Sequence, residues 1–192
     1  NAFGNLRQVD LIGSLNKAQI NNVLDIGRRN VVELGEFKKL VNRVPGGLWD
    51  RNYINKLLTQ SDEYLTPGAR GHWFNDHVNV TTANVKIQAD RSSSTSRLET
   101  AFYDENMARS SITEALQSPL GIRKINSYLD NPASSVDPAF NYKYDAEIGY
   151  GFASTGPGSS IPISARIDHV RVVPRISSSG DLFIITSYPT LP

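Results

Sequence analysis

The chain has 192 residues, of which 39% are hydrophobic and 20% charged, and its net charge is +1. Cysteine does not occur, which excludes disulfides, thiolate nucleophiles and cysteine-bound metal clusters. The sequence has no apolar stretch of the roughly 18 residues a membrane span needs and no signal-peptide pattern, so we expect no stable membrane insertion. Three histidines, His72, His77 and His169, lack the spacing of a shared metal site, and we expect neither metal nor cofactor.

Charge differs between the two parts of the chain. Residues 1–70 carry ten basic and seven acidic residues, whereas residues 71–192 carry ten and twelve. A polyanionic substrate of the second part would therefore need a local cationic cluster. Because the chain begins with Asn1 and not with Met, we interpret it as a processed part of a longer protein.

The first third of the sequence predicts helices. Their approximate ranges are residues 15–27, 31–44 and 50–60. Residues 66–71 then combine proline and glycine in a turn-forming segment. We place the domain boundary there, so that residues 1–69 form a helical amino-terminal segment and residues 70–192 a second domain.

The second part begins with helices and ends with strands. Helices are predicted at residues 78–89, 104–117 and 122–129, with Asp104 as a cap and a polar loop at 90–96. Strands are predicted at residues 140–144, 148–152, 163–176 and 182–188, with a glycine-rich loop at 154–160. The last two strands form the simplest antiparallel hairpin, which indicates an α+β fold.

Several short motifs occur in a characteristic order. Gly71-His72 leads after four residues to His77-Val78, and Glu99–Asp104 enters a helix with Ala108 and Ala115-Leu116. A strand at 165–173 and the run Ile185-Thr186-Ser187-Tyr188-Pro189 follow. Over about residues 70–190 this order resembles the bacterial ribonuclease-A-like toxin domain found at the carboxyl ends of contact-dependent growth inhibition and other polymorphic toxin proteins.

The resemblance implies an α+β fold like that of pancreatic ribonuclease but without its disulfides. It also implies metal-independent cleavage of RNA by the 2′-hydroxyl, leaving a 2′,3′-cyclic phosphate, and a cognate immunity protein as partner. The expected state is a monomer or a toxin–immunity heterodimer. Residues 1–69 would help to carry the toxin, part of a secreted or cell-surface protein, into the cytoplasm of a target bacterium.

Histidine suits the role of base in such a reaction, since its ordinary pKa of about 6.5 lies in the working range. The resemblance assigns this role to His77. The residues alone favour another interpretation, in which His77 is a histidine at a helix start that packs against Trp73 and forms a local hydrogen bond. His72 also matches the family motif, and we interpret it as a structural or substrate-adjacent residue.

Thr186 and Tyr188 are two residues apart, so on a strand both project from one face, together with Leu182 and Ile184. The face could simply be the core side of a strand whose end reaches the sheet rim. The resemblance instead makes Thr186 and Tyr188 catalytic, as donors to the scissile phosphate. A tyrosine phenol is protonated at neutral pH and can donate such a hydrogen bond.

The cation of the site is harder to assign, because the family position of an arginine is occupied by Gln88. We choose Arg91 as catalytic and Arg97 as substrate-binding, since a guanidinium binds phosphate in a bidentate manner. Arg91 could also be a solvated loop arginine. By alternation along its strand His169 is predicted to be buried and hydrogen-bonded, and we leave it outside the site. The alternative function is a non-catalytic binding or delivery module on a ribonuclease-like scaffold, which the glutamine favours.

Overall fold

The computed structural model describes residues 51–131, 137–178 and 181–192. Residue contacts divide the chain into two units, Asn1–Ile54 and Asn55–Pro192. The domain boundary at residue 70 stays a prediction. The helices predicted at 15–27 and 31–44 lie outside the described residues. The third is present as helix α1 (Arg51–Ser61). None of the described helices is both long enough and apolar enough to cross a bilayer.

From Asn55 onwards the described residues combine helices with antiparallel strands, which confirms the predicted α+β class. The helices after α1 are α2 (Trp73–His77), α3 (Thr82–Arg91), α4 (Glu105–Gln117) and α5 (Pro119–Asp130). The strands are β1 (Leu98–Phe102), β2 (Phe140–Lys143), β3 (Gly149–Gly156), β4 (Ser159–Pro162), β5 (His169–Ile176) and β6 (Leu182–Thr190). The first sheet has the order β1-β3-β4 and the second the order β2-β5-β6.

Helix α3 covers the first sheet. Val85 and Ala89 on the helix are buried against Ala101 and Phe152 of the sheet. The prediction of one helix over residues 78–89 is wrong at its start. Val78 ends α2, and α3 starts only after Thr81, whose hydroxyl oxygen accepts a hydrogen bond from the Asn84 amide at 3.2 Å.

Helices α4 and α5 pack on β5 and β2 of the second sheet. The predicted cap at Asp104 is confirmed, because its carboxylate accepts from the Met107 amide at 2.8 Å. Helix α4 ends at Gln117 as predicted, but α5 begins at Pro119 and not at residue 122, because a proline at the first helical position loses no hydrogen bond. Ser118 caps this helix by accepting from the Gly121 amide.

The predicted hairpin of the last two strands is confirmed, with one correction to the start of its first strand. Its first strand begins at His169, so residues 163–168 are not part of it. A further strand, β1, lies between the polar loop and the helix capped by Asp104, where no strand was predicted. The predicted loop at 154–160 is a tight hairpin connection, because β3 runs to Gly156 and β4 resumes at Ser159.

A bulge in β6 changes which residues share a face. Val173 pairs with Thr186 but Pro174 pairs with Ile184, so Ile185 is an extra residue. Before the bulge the buried residue is the even-numbered Ile184, whereas after it the buried residues are the odd-numbered Ser187 and Pro189. The expectation that Leu182 and Ile184 share the face of Thr186 and Tyr188 is therefore wrong, because the extra residue reverses the alternation.

Candidate active site

The segment before α2 binds directly to the bulge of β6. The Gly71 amide donates to the Ser61 carbonyl at 2.6 Å, and the His72 amide donates to the Ile185 carbonyl at 2.9 Å. A Cβ atom at Gly71 would collide with the carbonyl oxygens of Ile184 and Ser61, so a residue without a side chain is required. These contacts bring two motifs that are far apart in sequence to one place.

His77 is held by the backbone of β1. Its Nδ1 lies 3.0 Å from the Thr100 carbonyl oxygen. Because a carbonyl only accepts, Nδ1 carries the hydrogen in the neutral ring and Nε2 carries the lone pair. The imidazole centroid lies 5.2 Å from that of Tyr188, with a tilt of 36° between the rings. The Thr100 hydroxyl donates to the Pro189 carbonyl at 2.5 Å, which ties β1 to the end of β6.

Burial lowers the pKa of His77 below the ordinary value of 6.5. The bond to the Thr100 carbonyl and the carboxylates of Asp76 and Glu99 oppose this effect, while His72 reinforces it. Desolvation is the largest of these causes. His77 is therefore neutral at neutral pH and can accept a proton at Nε2.

Thr186 and Tyr188 share one face of β6, as predicted from their spacing. The Thr186 hydroxyl oxygen is buried and has no hydrogen-bond partner within the described part of the chain. A buried hydroxyl left unpaired costs about 1–3 kcal/mol. Such a group, on the same face of β6 as Tyr188, is suited to a ligand that supplies an acceptor.

The remaining predicted residues are less closely connected to this cluster. Arg91 is exposed at the end of α3 and makes no hydrogen bond or ion pair with any described residue. Arg97 binds Glu99 through Nε at 2.5 Å, and Glu99 in turn acts on the pKa of His77. The His72 side chain is exposed, although its backbone is fixed on β6. Gln88, where the resemblance leads us to expect an arginine, is exposed as well.

His169 was predicted to be buried and hydrogen-bonded, on the argument that it alternates with Ile163 to Ile167. The argument is wrong, because those residues precede the strand. The hydrogen bond is nevertheless present, since Nδ1 lies 2.7 Å from the Asp168 carboxylate and the side chain is only 16% exposed. No group of three or more potential ligands could hold a metal ion among the residues the structure describes.

Thr100 is the residue that the sequence analysis missed. Its carbonyl fixes His77 and its hydroxyl fixes the end of β6. The signal available was the short run Leu98–Phe102, which has the threonine and phenylalanine of a strand just before the Asp104 cap.

An α+β domain with two antiparallel sheets is consistent with a ribonuclease-A-like class of protein, and His77 lies against Tyr188 as that class leads us to expect. Residues 71–189 match the family model described as the bacterial CdiA-CT RNAse A domain. The chain therefore belongs to this family, the ribonuclease-A-like toxin domain at the carboxyl end of contact-dependent growth inhibition proteins.

The chain is also similar to a crystal structure of a CdiA-CT/CdiI complex from Y. kristensenii, with a TM-score of 0.46 and 24% sequence identity. The similarity covers 63% of this chain and 100% of that one. Among the curated proteins no sequence matches significantly.

Proposed function

We propose that this chain is a toxin that cleaves RNA without a metal ion, by attack of the ribose 2′-hydroxyl on the neighbouring phosphate. The observation that carries the proposal is the position of His77. Its Nδ1 is occupied by the Thr100 carbonyl, its pKa is lowered by burial, and its ring lies against Tyr188. A base in this state is what 2′-hydroxyl attack needs.

In the proposed reaction, His77 Nε2 accepts the proton of the 2′-hydroxyl while the 2′-oxygen bonds to phosphorus. The bond from phosphorus to the 5′-oxygen breaks, and the Tyr188 phenol gives its proton to the leaving oxygen. Solvent returns the proton from His77 to Tyr188. The products are a 2′,3′-cyclic phosphate and a 5′-hydroxyl, and the Thr186 hydroxyl donates to a phosphate oxygen as negative charge develops there.

The cation on the scissile phosphate is proposed to be Arg91. Its guanidinium carries no ion pair within the described residues, so no existing partner has to be displaced. Arg97 and His72 are proposed to contact substrate at the margins of the site.

The family membership supports a cognate immunity protein as partner. The chain is then a monomer when free and forms a toxin–immunity heterodimer when bound. The family membership also supports delivery to the cytoplasm of a target bacterium, with residues 1–69 helping in this delivery.

The test is incubation of the purified chain with single-stranded RNA in the presence of EDTA, followed by identification of the product ends. We expect cleavage with 2′,3′-cyclic phosphate ends and its loss in His77→Asn. Cleavage that appears only after a divalent metal is added would contradict the proposal.

The second candidate is a module on the same scaffold that binds RNA or protein without cutting. The exposed Gln88, where the resemblance leads us to expect an arginine, favours it. Expression in bacteria with and without the neighbouring small open reading frame separates the two. Toxicity relieved by the neighbour supports the enzyme, whereas growth that is indifferent to the chain supports the binding module.

A further inference from the structure

The second sheet has one covered face and one open face. Phe140, Val170 and Val172 alternate along β2 and β5 and are buried on the side where α4 and α5 pack. The intervening residues project from the other side. There Lys143 is exposed and the Arg171 side chain is 32% exposed. The open face is therefore polar and accessible on its β2 side.

Strand pairing places this face next to the candidate active site. Arg171 pairs with Tyr188 on β6 and with Asn141 on β2. The next row along the strands consists of Thr190, His169 and Lys143. Since residues paired across antiparallel strands project from the same face, Arg171 and Lys143 share the face of Tyr188 and Thr186.

The Arg171 guanidinium lies towards β2 and away from Tyr188. Nη1 donates to the Asn141 side-chain oxygen at 3.1 Å, and Nη2 lies 3.3 Å from the Asp137 carboxylate. Strands are spaced about 4.8 Å apart, so the guanidinium lies roughly one strand beyond the tyrosine. At this distance the guanidinium does not reach a scissile phosphate bound at Tyr188, but it can bind the neighbouring phosphate of the RNA strand.

Arg171 has hydrogen-bonding capacity left for a ligand. Two of the five N–H groups of a guanidinium are used here, and the Asp137 carboxylate is 60% exposed. An exposed ion pair of this kind is weak and easily replaced by phosphate. Lys143 has no ion pair with any described residue. The nearby carboxylate of Asp168 is already bound to His169. The two cations are thus available to an anionic strand.

We propose that the open face of the second sheet binds the phosphates that flank the cleaved bond, with Arg171 holding the first and Lys143 the next. The ligand is single-stranded RNA, because the face continues from the candidate active site and its charge complements a phosphate backbone. The proposal rests on the proposed function for the nature of the substrate.

The experiment measures RNA binding in a His77→Asn background, which prevents cleavage. The probe is a short fluorescent single-stranded RNA, and its anisotropy is followed across a series of salt concentrations. Arg171→Gln and Lys143→Gln should each reduce the slope of log K against log salt by about 0.7, which weakens binding roughly fivefold near 0.1 M salt. Arg171→Lys should keep the slope. Arg123→Gln, an exposed arginine on α5, is the matched control and should change nothing.

Cleavage gives a second readout in the active chain. A dinucleoside monophosphate has no flanking phosphate, so Arg171→Gln should cleave it at the original kcat/KM while losing roughly fivefold on the longer RNA. Equal losses on both substrates would overturn the flanking site.

Failure of this proposal is distinct from failure of the proposed function. If the chain does not cleave RNA but both glutamine variants show the expected decrease in the salt slope of RNA binding, the enzyme is rejected and the RNA site is retained. Cleavage with unchanged slopes in both glutamine variants would reject the RNA site alone. Unchanged RNA binding with weaker binding of a poly-glutamate peptide would overturn the site in favour of an acidic protein partner.

Discussion

The two sheets contribute to the candidate site in different ways. The first supplies a backbone atom, the Thr100 carbonyl that orients His77. The second supplies side chains, Thr186 and Tyr188, on its open face. A backbone carbonyl is present whatever side chain its residue carries, so a substitution at Thr100 affects this role only if it displaces the strand. The second sheet contributes hydroxyl groups, and a substitution that removes one hydroxyl removes its contribution.

The largest expected effect is that of His77→Asn, which keeps the donor to Thr100 but removes the base. We expect kcat/KM for RNA cleavage to fall by about 10²–10⁴-fold, the usual contribution of a general base. Thermal unfolding should stay close to that of the parent because the bond to the first sheet is retained. Near-complete activity in this variant would show that His77 is not the base, and the first sheet would then have no role in positioning one.

Tyr188→Phe tests the second sheet by a single oxygen. The ring contact with His77 remains, but the proton donor to the leaving 5′-oxygen is lost, and we expect about a 10²-fold lower kcat/KM. Tyr103→Phe, at an exposed tyrosine just after β1, is the matched control and should keep full activity. A similar loss in both variants would show a general effect of tyrosine removal.

Thr186→Val should separate function from stability. It removes a buried hydroxyl without a partner among the described residues, so the free energy of unfolding should rise by about 1 kcal/mol. Cleavage should fall by about tenfold or more, because a donor to the phosphate is lost. Thr95→Val, in the exposed loop between α3 and β1, is the control for both measurements. If unfolding became easier, the hydroxyl would have a structural partner after all.

Gly71→Ala tests the connection between α2 and β6. The added Cβ meets the backbone of Ile184 and Ser61, so the free energy of unfolding should fall by about 1–3 kcal/mol. Gly68→Ala is the comparison in the same loop, since it has a positive φ of 84° but open space around it. Chemical denaturation should show the greater loss for Gly71→Ala, and the reverse order would argue against close packing on the bulge.

The smallest effect is a displacement of the pH profile. Burial lowers the pKa of His77, so the acidic limb of kcat/KM should lie below pH 6.5. The folded chain binds fewer protons at this residue than the unfolded chain. Its contribution to stability is therefore present above pH 6.5 and is lost as the pH falls below that value. His77→Asn should abolish this dependence, and an acidic limb above pH 6.5 would contradict the assignment of burial as the main cause.

Local patterns predicted much of the described fold. The Asp104 cap, the strand at Phe140 and the final hairpin follow from side-chain chemistry within a few residues, and the structure confirms them. The break at Thr81 and the strand β1 were missed. Both are short, and their identity depends on packing against distant segments that override local propensity.

The candidate site was predictable in its side chains but not in its assembly. His77, Thr186 and Tyr188 came from motifs, and the structure brings His77 and Tyr188 into contact. Their catalytic roles stay predictions. The Thr100 carbonyl leaves no trace in a sequence, and the extra residue at Ile185 depends on how β6 pairs with β5. Arg171 came into view only because pairing fixes its position opposite Tyr188.

The contacts that β6 makes with other segments also occupy part of its free edge. β6 lies at the border of its sheet, where free backbone groups could recruit a strand from another molecule. Three of these groups are already taken: the Ile184 amide by the Ser61 hydroxyl, the Ile185 carbonyl by the His72 amide, and the Pro189 carbonyl by Thr100. The contacts that align the motifs thus also block edge-to-edge association, and loosening them should favour aggregation before it favours complete unfolding.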